Sequence, residues 1–153
     1  MSAIELIDFV TAESLTSLLQ DAGCRVTPGE QGGVEQLLSA SQGIGFSVRF
    51  GNRAQEPGRY LDFIYSCALH VQGELPEGLT NQWNASRRFA RLSAQGAFLV
   101  MEMDVVVADG VSQKSLLGSL VLWDRLLQEV VTYLRDYHRN TSDAAADAAA
   151  VAS

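Results

Sequence analysis

The C-terminal third of the sequence carries the strongest periodic pattern in the chain, and it predicts one long amphipathic helix. Large apolar residues recur there at spacings of four and three, which is the period of one face of an α-helix. A second apolar band broadens this face. The first band consists of Leu116, Leu120, Trp123, Leu127, Val130, Leu134 and Tyr137.

Such a helix is long compared with the sheet that a chain of this size can build. About 26 residues rising about 1.5 Å each give a rod of roughly 39 Å, whereas about five strands at a spacing of ~4.8 Å span less. We therefore expect part of the apolar face to contact a second chain, although a helix lying diagonally across its own sheet remains an alternative. The candidates for a dimer interface are Leu116, Leu120, Trp123, Leu127 and Val130.

Before this helix, the apolar period changes to two, as expected for β-strands. Ile44, Phe46, Val48 and Phe50 alternate with small or polar residues, so one face of this strand is predicted to be buried. The preceding VEQLLSA is predicted to be its hairpin partner, with a helix as the alternative. The segment YLDFIYSCALHV has large apolar groups on both faces, which places it in the middle of a sheet or between a helix and a partner.

A second hairpin is predicted in the segment FARLSAQGAFLVMEMDVVV. A turn centred on Gln95 and Gly96 would place Leu92 opposite Leu99. The strand after the turn then presents one continuous face to the core, formed by Leu99, Met101, Met103, Val105 and Val107.

Polar residues and a glycine mark the ends of the predicted helices. Thr11 is placed to cap a first helix, TAESLTSLLQDAG, which Gly23 would end. Thr80 is predicted to cap a short middle helix, and Ser112 the long C-terminal one.

The order of these elements is a helix, a run of strands, a short helix, a hairpin and a long helix. Strands joined by short turns form antiparallel sheets, so we predict a single α+β domain over residues 1–140, with three helices packed on an antiparallel β-sheet. Residues 141–153, TSDAAADAAAVAS, have little to bury, and we predict them to be disordered.

Composition and charge limit the possible partners. The formal net charge is −7, and the longest basic run is Arg87-Arg88; this argues against nucleic acid, whose binders carry a basic face. Cys24 and Cys67 are isolated from other ligand types and are expected to be reduced. With no signal sequence and no long apolar run, we expect a soluble cytoplasmic protein without a membrane segment.

The known catalytic and metal-binding patterns are missing. His70 and His138 lack the spacing of metal ligands, and the glycine clusters lack a phosphate-binding context. Glu102 and Asp104 lie two apart on one strand, which could hold an acid–base pair but is more typical of a solvated hairpin face. We predict no catalytic residues, no metal and no cofactor.

The segment NQWNASRRFARL, residues 81–92, concentrates aromatic and basic residues in an acidic chain. In one interpretation it is a structural corner: Arg91 lies diagonal to Glu102, Arg87 approaches Asp104, and a buried tryptophan covers the sheet while an asparagine bonds backbone groups. In the other, it is an aromatic anchor with an arginine rim that binds a partner. The candidate binding residues are Trp83, Asn84, Arg87, Arg88, Arg91 and Asp104.

Three segments in order, WNASRRFARL, FLVMEMDVVVADGVS and LLGSLVLWDRLLQEV, resemble the YbjN family of bacterial proteins, described as sensory transduction regulators. The resemblance covers roughly residues 12 to 137. It implies a fold like that of type III secretion chaperones, often dimeric, and a regulatory or chaperone-like role without established enzymatic activity. The positions that match the family pattern are Trp83, Asn84, Arg88, Phe89, Arg91, Met103, Asp104, Val105, Gly110, Val111 and Ser112.

These observations lead to two functional hypotheses. The first is a non-catalytic regulator that acts by binding an unidentified protein and forms a homodimer. The second is a small-molecule sensor with a pocket near Trp83, Asn84 and Arg88.

Overall fold

The computed structural model describes the backbone of residues 5–152 and the side chains of residues 5–137. The side chains of the predicted tail, 141–153, lie outside this part, so its disorder and the 1–140 domain boundary stay predictions. The elements are α1 (Ala12–Asp21), β1 (Thr27–Gln31), β2 (Val34–Ser41), β3 (Ile44–Phe50), β4 (Asp62–His70), α2 (Leu79–Ser86), β5 (Arg91–Gln95), β6 (Phe98–Val106) and α3 (Gln113–Ala152).

The six strands form one antiparallel sheet in the order β1-β2-β3-β4-β6-β5. β2 and β3 pair as predicted, and the strand with two apolar faces, β4, lies in the interior of the sheet. The α+β class, with three helices and an antiparallel sheet, is confirmed.

All three helices contribute to a single core on one face of the sheet. At its centre the ring of Trp123 stacks on Tyr65 at 5.4 Å and meets Phe46 edge-on at 6.0 Å. The core face predicted for β6 is confirmed, since Leu99, Met101, Met103 and Val107 are buried and Val105 is partly buried. The opposite face of the sheet carries no helix among the described elements.

The apolar stripe of α3 packs against the sheet of its own chain. All five residues predicted for a dimer interface are at most 7% exposed, and Trp123, Leu127 and Val130 are fully buried. They are core residues of the protomer and present no free surface. The stripe therefore agrees with the alternative prediction, in which the long helix lies across the sheet of its own chain. A more exposed residue of α3 is Val121.

Two local predictions are wrong, each by a shift of two residues or fewer. In the β5–β6 hairpin Leu92 pairs with Met101, because the turn is formed by Gly96 and Ala97. Gly96 has φ +61, as required at the first position of a type II′ turn, which suits the twist of a hairpin. A shift of two residues keeps every side chain on its predicted face.

The second error concerns the start of α2. Gly78, with φ +83, is the N-cap, and no side chain caps this end, so Thr80 lies inside the helix. Starting at Leu79 lets Leu79 and Trp83, four residues apart, both enter the core. The predicted caps at Thr11 and Ser112 are confirmed, as is the left-handed Gly23 after α1.

Candidate functional site

Trp83 is fully buried at the corner between α2 and β5. Its indole Nε1 donates a hydrogen bond to the backbone oxygen of Ala90 at 3.1 Å, and its ring meets Tyr133 of α3 at 5.2 Å. A side chain with no exposed surface cannot serve as an anchor for a partner. Trp83 therefore has the role predicted by the structural-corner interpretation of this segment, and not that of an aromatic anchor for a partner.

Asn84 covers part of the free edge of β5. Its Nδ2 donates to the backbone oxygen of Leu92 at 2.9 Å, and its Oδ1 accepts from the backbone N–H of Leu92 at 2.8 Å. The carboxamide thus takes the place of a neighbouring strand. At the opposite edge, β1 contains Pro28, which has no N–H to donate. Such features discourage the addition of a further strand at either edge.

The three arginines of this segment lie in different surroundings. Arg91 binds Asp104 at 2.8 Å and Glu102 at 3.4 Å. The predicted approach of Arg87 to Asp104 is wrong, because the guanidinium of Arg87 instead lies over two aromatic rings, Trp83 at 4.4 Å and Tyr133 at 4.7 Å.

Arg88 is exposed and lies over the ring of Phe89 at 5.1 Å. Phe89 is itself 60% exposed and has φ +80, a left-handed conformation that is rare for an aromatic residue. The three residues predicted to form a sensor pocket thus have separate surroundings: Trp83 in the core, Asn84 on the strand edge and Arg88 in solvent.

The uncovered face of the sheet carries a row of alternating charges. Glu102 lies near its centre, is 12% exposed through its side chain, and is bound by Arg91 from β5 and by Arg49 from β3. Arg49 reaches Glu102 across β4, where the small Ser66 leaves room. The row Arg49, Glu102, Arg91 and Asp104 fixes the relative positions of three separate strands.

Sequence reasoning missed Arg49. Its alternation with Phe46, Val48 and Phe50 indicated only a solvated position. Its partner depends on the strand order, in which β4 lies between β3 and β6, and on a small residue at position 66. The alternation of residues within β3 gives no information on the strand order or on the residue at position 66.

Around the charged row, the uncovered face exposes large apolar side chains and contains a hollow. The exposed residues are Val34, Leu38, Phe98 and Val106, which are 40–60% accessible. The hollow has a volume of about 670 Å³, and small residues form much of it: Gly45, Ser47, Ser66 and Ala68. We call this surface, comprising the exposed apolar side chains, the hollow and the charged row, the open face.

The ion pairs of the open face differ in burial, and this difference gives a prediction. Asp104→Asn should change the free energy of unfolding by less than about 0.5 kcal/mol, because both partners of its pair are half exposed. Glu102→Gln should cost about 1–3 kcal/mol, because Arg49 loses its carboxylate partner and Arg91 loses one of two. Urea unfolding of the two isosteric variants measures both values. Equal effects would contradict the placement of Glu102.

The remaining reactive groups are buried or dispersed. Both cysteines are free; Cys67 lies in the core, where burial raises the pKa of its thiol to about 11 and keeps it protonated. Burial likewise raises the pKa of the Tyr65 hydroxyl. Within residues 5–137, no three His, Cys, Asp or Glu side chains cluster closely enough to hold a metal ion.

The fold and the open face define a class: an α+β protein whose helices cover one side of an antiparallel sheet and leave the other side uncovered. The chain belongs to the YbjN family, whose sequence model, described as "Putative bacterial sensory transduction regulator", matches residues 11–136. Comparison with curated proteins and with solved structures gave no significant match. None of the helices, within the described residues, is long and apolar enough to cross a membrane.

Proposed function

We propose that this protein is a non-catalytic regulator of the bacterial cytoplasm that acts through protein contact and forms a homodimer through its open face. The observation that carries the proposal is the exposure of Val34, Leu38, Phe98 and Val106 on the same uncovered side of the sheet. They lie around the hollow and the charged row, and large apolar side chains left exposed on an uncovered sheet face are typical of interaction surfaces. The two free cysteines agree with a reducing compartment.

A second copy of the chain is the occupant that the shape of the open face favours. In a two-fold dimer the same patch must complement itself. The open face combines protruding side chains, such as Phe98 and Leu38, with a hollow floored by small residues, so each copy offers both a knob and a recess. Its alternating arginines and carboxylates avoid a uniform charge that would repel an identical face.

The size of the open face also suits a dimer. Six strands at ~4.8 Å, each contributing about seven residues at ~3.3 Å, give roughly 650 Å² before side-chain relief is counted. Each partner in a stable interface contributes about 800 Å². The open face is therefore of the right order to hold two chains together. The likeness to type III secretion chaperones stays a prediction.

The mass in solution and its salt dependence test the proposal. Sedimentation velocity at tens of micromolar should give twice the 16.6 kDa of one chain. Because each chain carries a net charge of −7, the copies repel, and salt should strengthen the dimer by screening this repulsion. A single-chain mass at every salt concentration would reject the homodimer. Weakening by salt would mean that ion pairs, and not apolar contacts, hold the chains together.

A further inference from the structure

A second cavity lies between α2 and α3, on the helical side of the molecule and away from the open face. Its volume is about 430 Å³. Polar and aromatic side chains from both helices line it, including Arg87, Arg125, Gln128, Tyr133 and Asp136.

Arg87 is a fixed, partly buried cation at this cavity. The rings of Trp83 and Tyr133 hold its guanidinium at 4.4 and 4.7 Å, and Nη1 donates to the Ser86 hydroxyl at 3.2 Å. Among the described residues it forms no ion pair with a carboxylate, a property it shares with several other arginines, but its guanidinium is held between two rings at a cavity. A planar guanidinium fixed in this way offers N–H donors in a geometry that suits an oxyanion.

Gln128 is a second polar side chain that lines the same cavity. Its Nε2 is buried and has no hydrogen-bond partner among the described residues. Buried polar groups are normally paired, and an unpaired one calls for an explanation. An acceptor on a molecule bound in the cavity, with this side chain turned toward it, would satisfy the amide.

The acidic side chains at the cavity do not cancel this preference. Glu129 is paired with Arg125 at 3.7 Å on the surface of α3. Asp136 is exposed, so solvent screens its charge. The Arg87 guanidinium therefore remains at the cavity without a carboxylate partner among the described residues, and Gln128 is a neutral side chain of the lining whose amide lacks a hydrogen bond there.

We infer that this cavity binds the carboxylate or phosphate group of a small molecule, with Arg87 and Gln128 as the binding residues. This inference is independent of the proposed pairing through the open face. The proposed site differs from the sensor pocket predicted near Trp83, Asn84 and Arg88. Arg87 lines the cavity, whereas Asn84 and Arg88 do not.

The structure provides a matched pair of variants for the test. Arg87 and Arg88 are adjacent and carry the same charge, but only Arg87 lines the cavity. The full-length protein is titrated with sodium malonate, as a carboxylate probe, and with sodium phosphate, each against sodium chloride at equal ionic strength. The indole N–H resonance of Trp83, whose ring lies under Arg87, reports binding by NMR, and the melting temperature reports it independently.

At least one probe should give a saturable shift of the Trp83 signal and a higher melting temperature in the wild type and in Arg88→Gln. Arg87→Gln should weaken this response at least about tenfold. If the loss of the ring contact unfolds that variant, Gln128→Leu, which leaves the charge unchanged, should weaken the response in the same direction. A stronger response to malonate identifies a carboxylate ligand, and a stronger response to phosphate a phosphate ligand.

Three results would overturn the inference. They are a response that is the same in Arg87→Gln as in Arg88→Gln, a response that rises linearly without saturation in both probes, and the absence of any response to either probe.

Discussion

Replacing Trp83 with alanine is expected to lower the free energy of unfolding by about 3–5 kcal/mol. Trp83 is fully buried, so the substitution leaves a cavity between α2, β5 and α3, and the Ala90 oxygen loses its donor. The ring of Trp83 also supports Arg87 and contacts Tyr133. For a chain of this length, the melting temperature should fall by about 10 °C or more. Thermal and urea unfolding measure the two quantities.

Two further substitutions separate burial from aromatic character. Trp83→Phe keeps a ring but removes the N–H, so its cost should be smaller than that of alanine. Phe89→Ala removes an exposed aromatic side chain from the same corner and should change the stability by less than about 0.5 kcal/mol. If Trp83→Ala lowers the free energy of unfolding no more than Phe89→Ala does, Trp83 is not a buried core residue.

Introducing a charge on the open face is expected to separate the two chains of the proposed dimer. In Phe98→Glu, a carboxylate replaces an aromatic ring that is 43% exposed in one chain and that would be buried against a second copy. Burying an unpaired charge costs several kcal/mol, so the dissociation constant should rise about 100-fold or more. The fold should survive, because the substituted position is open to solvent in the single chain. Light scattering coupled to gel filtration measures the change in mass.

Val121→Glu is the matched control for this experiment. It adds the same charge at a position that is 70% exposed, but on α3, away from the open face. This variant should keep the two-chain mass. If Val121→Glu separates the chains while Phe98→Glu does not, the interface lies on the helical side and the open face is not the contact surface.

Periodicity was sufficient to predict most of the fold. The alternation in β3 and the two apolar faces of β4 were informative because burial on a sheet follows every second residue. The apolar stripe of α3 indicated a long helix equally well, but a broad apolar stripe is not by itself evidence that a second chain covers it. The residues that define the stripe are buried in a single chain, because a sheet of six strands is wide enough to receive them.

The site was harder to predict, because it depends on contacts between segments that are distant in sequence. Arg91, and not Arg87, pairs with Asp104, because the hairpin turn lies one residue further along the chain than predicted and shifts the register of β5 against β6. The stacking of Arg87 required Tyr133, which lies 46 positions away and is brought in by α3. The open face itself became visible only when all three helices were found on the other side of the sheet.

Isotope-filtered NMR on a mixture of methyl-labelled and unlabelled chains shows directly whether two chains meet through their open faces. Intermolecular contacts are expected to start from the methyl groups of Val34, Leu38 and Val106, and to end on the open face of the other copy. Contacts between chains that start from Val121 instead, or a paired species without contacts from these three residues, would contradict it.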